Sequence, residues 1–242
     1  MGNPIKIFDS TEELAQYFST LLADRISETP DDRYFSWVLS GGSTPKTVFG
    51  KIVSSFRDAI DWNKVKIFWG DERCVGPDDK ESNYKMAREN LLDHIPVPAS
   101  SIFRIYGEAN PAAEAARYGE QFGRHVNLVH GIPQADLFML GLGEDGHTAS
   151  IFPSNIELFS SRNLFEPSEH PLTKQKRITA TGRVINQSKL VVILATGQSK
   201  AARVAQVINR LDGWDQLPAA RVSPEDGELI WLLDRMSASS LK

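Results

Sequence analysis

Two short apolar runs constrain this chain more than anything else in it: Leu137-Phe138-Met139-Leu140 and Leu190-Val191-Val192-Ile193-Leu194-Ala195. Neither alternates with polar residues, so each reads as a strand buried on both faces, as in the middle of a parallel sheet. Each breaks at once into a glycine-bearing loop, Gly141 to His147 after the first and Thr196-Gly197-Gln198-Ser199-Lys200 after the second. Loops that follow parallel strands gather along the carboxyl edge of the sheet, where an α/β protein places its chemistry.

The same alternation runs through the whole chain. A strand is expected over 5–8, and Ser10 with Glu13 forms a capping-box signature. Leu14, Phe18, Leu21, Leu22 and Ile26 then recur at helical spacing, which predicts a helix over 11–27. Further strands are expected over 34–39, 65–69, 102–105, 176–181 and 229–233, the last followed by a short helical tail. Helices are expected after Pro45, from Asn83 to about Leu92, from Pro111 and from Ala201. Residues 154–175 are polar, contain prolines and lack a clear period, so they read as a surface excursion over the site. The expectation is a single α/β domain over 1–242, its mostly parallel sheet wrapped by helices on both faces. Right-handed crossovers then bring segments 40–45, 70–73, 141–150 and 196–200 to one edge.

Bulk properties narrow the function. The 242 residues, 41% hydrophobic, suffice for a sizeable core, and a net charge of −4 provides no basic field for nucleic acid or anionic membrane. An anionic substrate must therefore be caught by a local cluster. Cys74 is the single cysteine, which excludes an internal disulfide and fits a reducing compartment. With no signal region and no apolar run near the roughly 20 residues of a membrane span, a cytoplasmic location is expected. The sequence itself leaves oligomeric state open; a monomer is the expectation.

Gly141, Gly143 and Gly146 spell the dinucleotide fingerprint G-x-G-x-x-G. That fingerprint requires a long crossover helix directly after the third glycine, and Pro153, Pro167 and Pro171 leave no room for one. No nicotinamide or flavin is expected. The chain also has no H-E-x-x-H, no cysteine cluster, no G-x-x-x-x-G-K-[ST] and no G-x-S-x-G. Metal, nucleoside triphosphate and serine-nucleophile chemistries therefore lack their usual signatures.

The edge loops nonetheless carry chemistry. Ser40-Gly41-Gly42-Ser43-Thr44-Pro45 suits an anion nest at a helix start, and equally a plain turn with a Ser/Thr cap. Arg73 could grip a phosphate or close a salt bridge at a strand end, and Lys200 could be a ligand or a solvated charge. Asp145 stands two residues before His147, an arrangement that can orient an imidazole for general-base work. A phosphate handle, one imidazole and carboxylates together suit isomerisation, deamination or hydrolysis of a phosphosugar.

Four stretches, taken together, resemble the glucosamine-6-phosphate isomerase/6-phosphogluconolactonase family, and within it the 6-phosphogluconolactonases. They are Leu39 to Pro45, Trp69 to Arg73, Leu140 to Pro153, and Arg177 to Thr181 continuing through Ala195 to Ala201; Asp78 to Asn83 and Trp231 to Asp234 also fit. Arg73 and the run His147-Thr148-Ala149-Ser150-Ile151-Phe152-Pro153 favour the lactonases over the deaminases, which resemble one another in having tyrosine where Arg73 stands. Arg183 departs from the proline frequent in related lactonases, and Gly76-Pro77 is a local variation in a loop. The resemblance implies a modified Rossmann-like fold similar to glucosamine-6-phosphate deaminases, and metal-independent hydrolysis of a phosphosugar lactone without cofactor. It implies His147 as the base that activates water and Asp145 as the group that orients it. Gly41, Gly42, Ser43, Thr44, Arg73 and Lys200 would hold the 6-phosphate, Asp71 would meet sugar hydroxyls or organise its loop, and backbone of 141–146 would receive the oxyanion. The alternatives are amino-sugar-phosphate deamination and a non-catalytic phosphosugar-binding regulator.

Overall fold

The computed structural model describes residues 4–242. The chain runs through β1 (Ile5–Phe8), α1 (Thr11–Ser27), β2 (Phe35–Leu39), α2 (Ser43–Ser55), β3 (Val65–Trp69), β4 (Asp71–Arg73), α3 (Asn83–Asn90) and α4 (Pro111–His125). A small ribbon of β5 (Leu128–Val129) and β6 (Ile132–Pro133) leads into β7 (Leu137–Gly141). Then come β8 (Phe165–Glu169), β9 (Lys176–Ala180), α5 (Gly182–Ile185), β10 (Leu190–Ala195), α6 (Ala201–Ile208) and β11 (Glu228–Asp234). Ser10 caps α1 through its Oγ, which accepts from Glu13 N, while Glu13 reaches back to the amide of Asp9 rather than that of Ser10.

Six strands form one parallel sheet in the order β1-β11-β10-β7-β2-β3. Every residue of β2 and β10 is buried, so both faces of the sheet are covered, as their unbroken apolar runs require. The order also creates a switch point. β2 and β7 are neighbours, yet β2 leads outward to β3 on one side and the chain after β7 returns on the other, at β10. The loops after β2 and β7 splay apart there and open a crevice at the carboxyl ends of the strands.

A second sheet, antiparallel β4-β9-β8, closes over that crevice. Gly70 makes the transition from β3 to β4. A Cβ there would lie 2.8 Å from the Phe138 ring, and its carbonyl accepts from Ala180 N at 2.7 Å, which draws the two sheets together. Residues 71–73, read from sequence as a loop, are therefore a strand. The excursion over 154–175 is likewise half structure, with a 3₁₀ segment at Pro153–Ser160 followed by β8. Phe165 in β8 is buried edge-on against Tyr118 at 4.7 Å. Pro167 is tolerated because β8 lies at a sheet edge.

Two other expectations are corrected. Residues 102–105 make no full strand: Ile102 bridges Ile67 once, Phe103 N donates to Ile67 O at 2.9 Å, and the Phe103 ring stacks on Phe68. The run covers the open edge of β3 and then turns away, because Gly107 packs so closely on β4 that a Cβ would meet the Arg73 carbonyl at 2.3 Å. The tail after Asp234 consists of turns, tied down by Ser237 Oγ donating to Ala195 O at 2.7 Å.

At the amino ends of the strands, buried Asp136 accepts from Arg33 Nη1 at 2.8 Å, Lys189 Nζ at 2.9 Å, and Ser36 N and Oγ at 2.9 Å each. It cross-links the starts of β2, β7 and β10. Asp136→Ala is expected to lower stability by about 2–3 kcal/mol, since the two cations can reach water but the Ser36 donors cannot. For a chain of this size that is a fall in melting midpoint of roughly 5–10 °C, read by circular dichroism; an unchanged midpoint would contradict the assignment.

Candidate active site

Where the splayed loops meet the second sheet lies a cavity of about 730 Å³, lined by Gly41, Gly42, Asp71, Arg73, Asp145, His147 and Lys200 among others. Segments from all four predicted loops thus reach one space. Ser43 and Thr44 are not in the lining; they start α2, and the Thr44 hydroxyl bonds the Thr196 hydroxyl at 2.7 Å, tying the first loop to the last. α2 begins after Gly42 at φ +108 with no side-chain cap, so the amides of its first turn have no hydroxyl bonded to them. The plain-turn reading with a Ser/Thr cap is therefore not what the chain adopts. The last loop is anchored by Asp234, whose two oxygens accept from Gly197 N at 3.0 and 3.1 Å.

The loop after β7 is built around its imidazole. His147 Nδ1 lies 2.6 Å from Asp145 Oδ1, and the same oxygen accepts from His147 N at 3.1 Å. Gly143 N donates to His147 O at 2.8 Å and Gly146 N to Gly143 O at 3.0 Å, which closes the loop on itself. Gly143 must be glycine, because a Cβ would sit 2.1 Å from His147 Nδ1 and 2.7 Å from Asp145 Oδ1. Burial raises the Asp145 pKa, but the hydrogen bond and charge of His147 outweigh it and bring the carboxyl to about 2. Asp145 is therefore ionised at neutral pH and holds the proton of Nδ1, which leaves Nε2 as the free nitrogen.

The same cavity is lined by two guanidinium groups. Arg73 and Arg177 are direct partners across β4 and β9. Their hydrogen bonds go to neutral groups: Arg73 Nη1 to the Glu81 carbonyl, Arg177 Nη1 to Ser150 Oγ at 3.2 Å, and Arg177 Nη2 to Gln175 Oε1 at 3.2 Å. The Nε of each is buried with no partner. Burial, opposed in part by Asp71, and the neighbouring Arg73 charge push the Arg177 pKa down. Two adjacent cations lacking a carboxylate partner in the bonds above have the chemistry to receive an anion. The salt-bridge reading of Arg73 finds no support in them.

The two carboxylates beside Arg73 serve the frame. Glu72 is buried and accepts from the amides of Arg73, Asn83 and Tyr84 at 2.8, 2.7 and 2.8 Å and from Ser82 Oγ at 3.0 Å. Desolvation raises its pKa, with those three amides pulling the other way. Asp71 accepts from Ser150 Oγ at 2.6 Å and Asn83 Nδ2 at 3.3 Å while still lining the cavity. Ser150 thus links the imidazole loop to both β4 and Arg177. Burial, then Glu72, raises the Cys74 pKa to about 11, so its thiol is protonated and unreactive at neutral pH.

Sequence reasoning left the role of Arg177 open and gave Asn83 and Ser150 none of their own; it read His170, which has no glycine frame, as an ordinary surface residue, whereas the structure puts it in the cavity lining. No local signal marks them. Arg177 becomes a partner of Arg73 only through antiparallel pairing, and Asn83 comes from the start of a helix. Among the described residues no group of three or more His, Cys, Asp or Glu is placed to hold a metal ion, and no helix is long and apolar enough to cross a membrane.

Fold and cavity together define a Rossmann-like α/β protein in which a carboxylate-held imidazole and a pair of guanidinium groups line one cavity. Residues 9–231 match the family described as glucosamine-6-phosphate isomerases/6-phosphogluconolactonase, and the chain belongs to that family. It is 38% identical to a 6-phosphogluconolactonase of Haemophilus influenzae over 84% of this chain and 86% of that one. It superposes on the structure of 6-phosphogluconolactonase from Trypanosoma brucei with a TM-score of 0.83 and 29% identity, covering 99% of each chain. A monomeric glucosamine-6-phosphate deaminase superposes with a TM-score of 0.82 at 23% identity over 98% of this chain and 99% of that one, a likeness of fold alone.

Proposed function

We propose that this chain hydrolyses 6-phospho-D-glucono-1,5-lactone to 6-phosphogluconate in the oxidative pentose phosphate route, as a cytoplasmic enzyme acting as a monomer without metal. The observation that carries this reading is a single cavity lined both by an imidazole fixed at 2.6 Å by Asp145 and by the Arg73/Arg177 pair, whose hydrogen bonds go to no carboxylate. A volume of about 730 Å³ suits a hexose phosphate.

In this reading the phosphate sits on Arg73, Arg177 and Lys200, near the first turn of α2. Anchoring that end holds the lactone carbonyl toward His147. Nε2 takes a proton from water as the water oxygen attacks the carbonyl carbon. The imidazolium, stabilised by ionised Asp145, then returns the proton to the ring oxygen as the ester bond breaks. The oxyanion needs donors worth about 3–4 kcal/mol each. The amides of Gly143 and Gly146 are engaged within the loop, so the donor in this reading comes from another amide of 141–146. Asp71, bonded to Ser150 and Asn83, organises the loop and presents an oxygen to a sugar hydroxyl.

A lactonase assay coupled to acid release and corrected for spontaneous hydrolysis tests the reading. Turnover above background, unaffected by a chelator, with no ammonia from glucosamine 6-phosphate, is expected. Ammonia release without lactone hydrolysis would replace it by the deaminase reading, and phosphosugar binding without turnover by a regulatory one. Arg73→Ala and Arg177→Ala are each expected to weaken 6-phosphogluconate by about 1.5–3 kcal/mol, roughly 10–150-fold, in isothermal titration. Unchanged affinity in both would remove the phosphate from this wall.

A further inference from the structure

The tip of the hairpin between β8 and β9 puts a second imidazole, that of His170, into the wall of the same cavity. Its Nδ1 lies 3.2 Å from Leu172 N and 3.2 Å from Thr173 N. Two N–H groups aimed at one ring nitrogen require a lone pair there, so the neutral ring carries its proton on Nε2. Burial first, then the positive charge of Arg177, lowers the His170 pKa and keeps the ring neutral. His170 is therefore an uncharged donor in a wall that also carries Arg73, Arg177 and Lys200, and its N–H is turned away from the turn that holds the ring.

Its location follows from Phe152. The Phe152 ring packs against His147 at 4.7 Å and against His170 at 5.1 Å, and the Arg177 guanidinium lies 5.7 Å from its centre. One aromatic post thus spaces the base, the cation and the second imidazole around it. A molecule that reaches both the guanidinium pair and Nε2 of His147 lies in a cavity that His170 also lines. On the lactone reading the substrate also carries ring hydroxyls, and a neutral N–H matches a neutral hydroxyl oxygen better than it matches a phosphate already served by two guanidinium groups.

We propose that His170 is a substrate-contacting residue whose Nε2–H donates to a sugar hydroxyl lying between the phosphate and the reacting carbonyl. The inference rests on the lactonase reading of the cavity. A purely structural role would be the turn alone, and there Asn does the same work, since its side-chain oxygen accepts from the amides two and three residues on. His170→Asn therefore keeps the turn, and its shorter amide withdraws the donor from the position of Nε2.

Isothermal titration of 6-phosphogluconate and, separately, inorganic phosphate into the wild-type protein, His170→Asn and His170→Ala separates the two. Both variants are expected to bind 6-phosphogluconate roughly 3–10-fold more weakly, with phosphate affinity within about twofold of wild type. Long-range proton–nitrogen NMR of the wild type is expected to show His170 Nδ1 unprotonated. Wild-type affinity for 6-phosphogluconate in His170→Asn overturns the proposal, as does equal weakening of phosphate alone or a proton found on Nδ1. If the wild type hydrolyses the lactone and His170→Asn binds unchanged, this inference alone falls. A wild type that neither turns over the lactone nor binds 6-phosphogluconate overturns the reading of the cavity with it.

Discussion

His147→Ala is expected to lower lactone turnover by about 10²–10⁴-fold while leaving 6-phosphogluconate affinity nearly intact. The split follows from geometry: the imidazole is held by its own loop, through Asp145 Oδ1 at 2.6 Å, and makes no hydrogen bond to the cationic wall. Progress curves corrected for spontaneous hydrolysis, beside calorimetry of the same preparation, measure both halves. Full activity in the variant would end the general-base mechanism. The carboxylate partner adds a pH signature. With its folded pKa depressed to about 2 from an ordinary 3.8, Asp145 contributes stability that is present above about pH 4 and lost as pH falls toward 2. Any acid limb of the activity profile above pH 4 therefore belongs to another group.

Gly143→Ala is expected to cost about 10²-fold or more in turnover, although it adds one methyl group and changes no charge. The new Cβ would need space now held by His147 Nδ1, 2.1 Å away, and by Asp145 Oδ1, 2.7 Å away. Either the imidazole or the carboxylate must leave the other, and a displacement near 1 Å from reacting geometry is enough for a loss of that order. Gly50, where an added Cβ would meet nothing within 4 Å, is the natural control: Gly50→Ala lies in α2 and should leave turnover unchanged. Wild-type kinetics in Gly143→Ala would mean that the base is not held where the loop places it.

The parallel sheet was legible because buried strands on both faces leave an unbroken apolar signature, as in β2, β7 and β10. The loops after them could be placed at one edge from chirality alone. The second sheet was far less legible. β4 has three residues, all charged, and β8 contains Pro167 and a single buried aromatic, so neither carries a periodic pattern. Their existence depends on pairing with β9, which for β4 is a contact between residues about a hundred positions apart. Likewise 102–105 has the composition of a strand, but its backbone is diverted after one bridge by the close packing of Gly107 on β4.

What the residues determined by themselves was the local chemistry: an imidazole two positions after a carboxylate in a glycine-rich loop, and a glycine pair directly before a helix start. Those are short-range facts, set by spacing and backbone freedom. Only the tertiary structure decided what shares a cavity with that imidazole. Arg177 meets Arg73 through antiparallel pairing, Asn83 reaches Asp71 from the start of a helix, and His170 comes to Phe152 from a hairpin tip. Such neighbours are chosen by where the burial of distant apolar surface brings the chain together, a long-range outcome that no local pattern around Arg177 or His170 encodes.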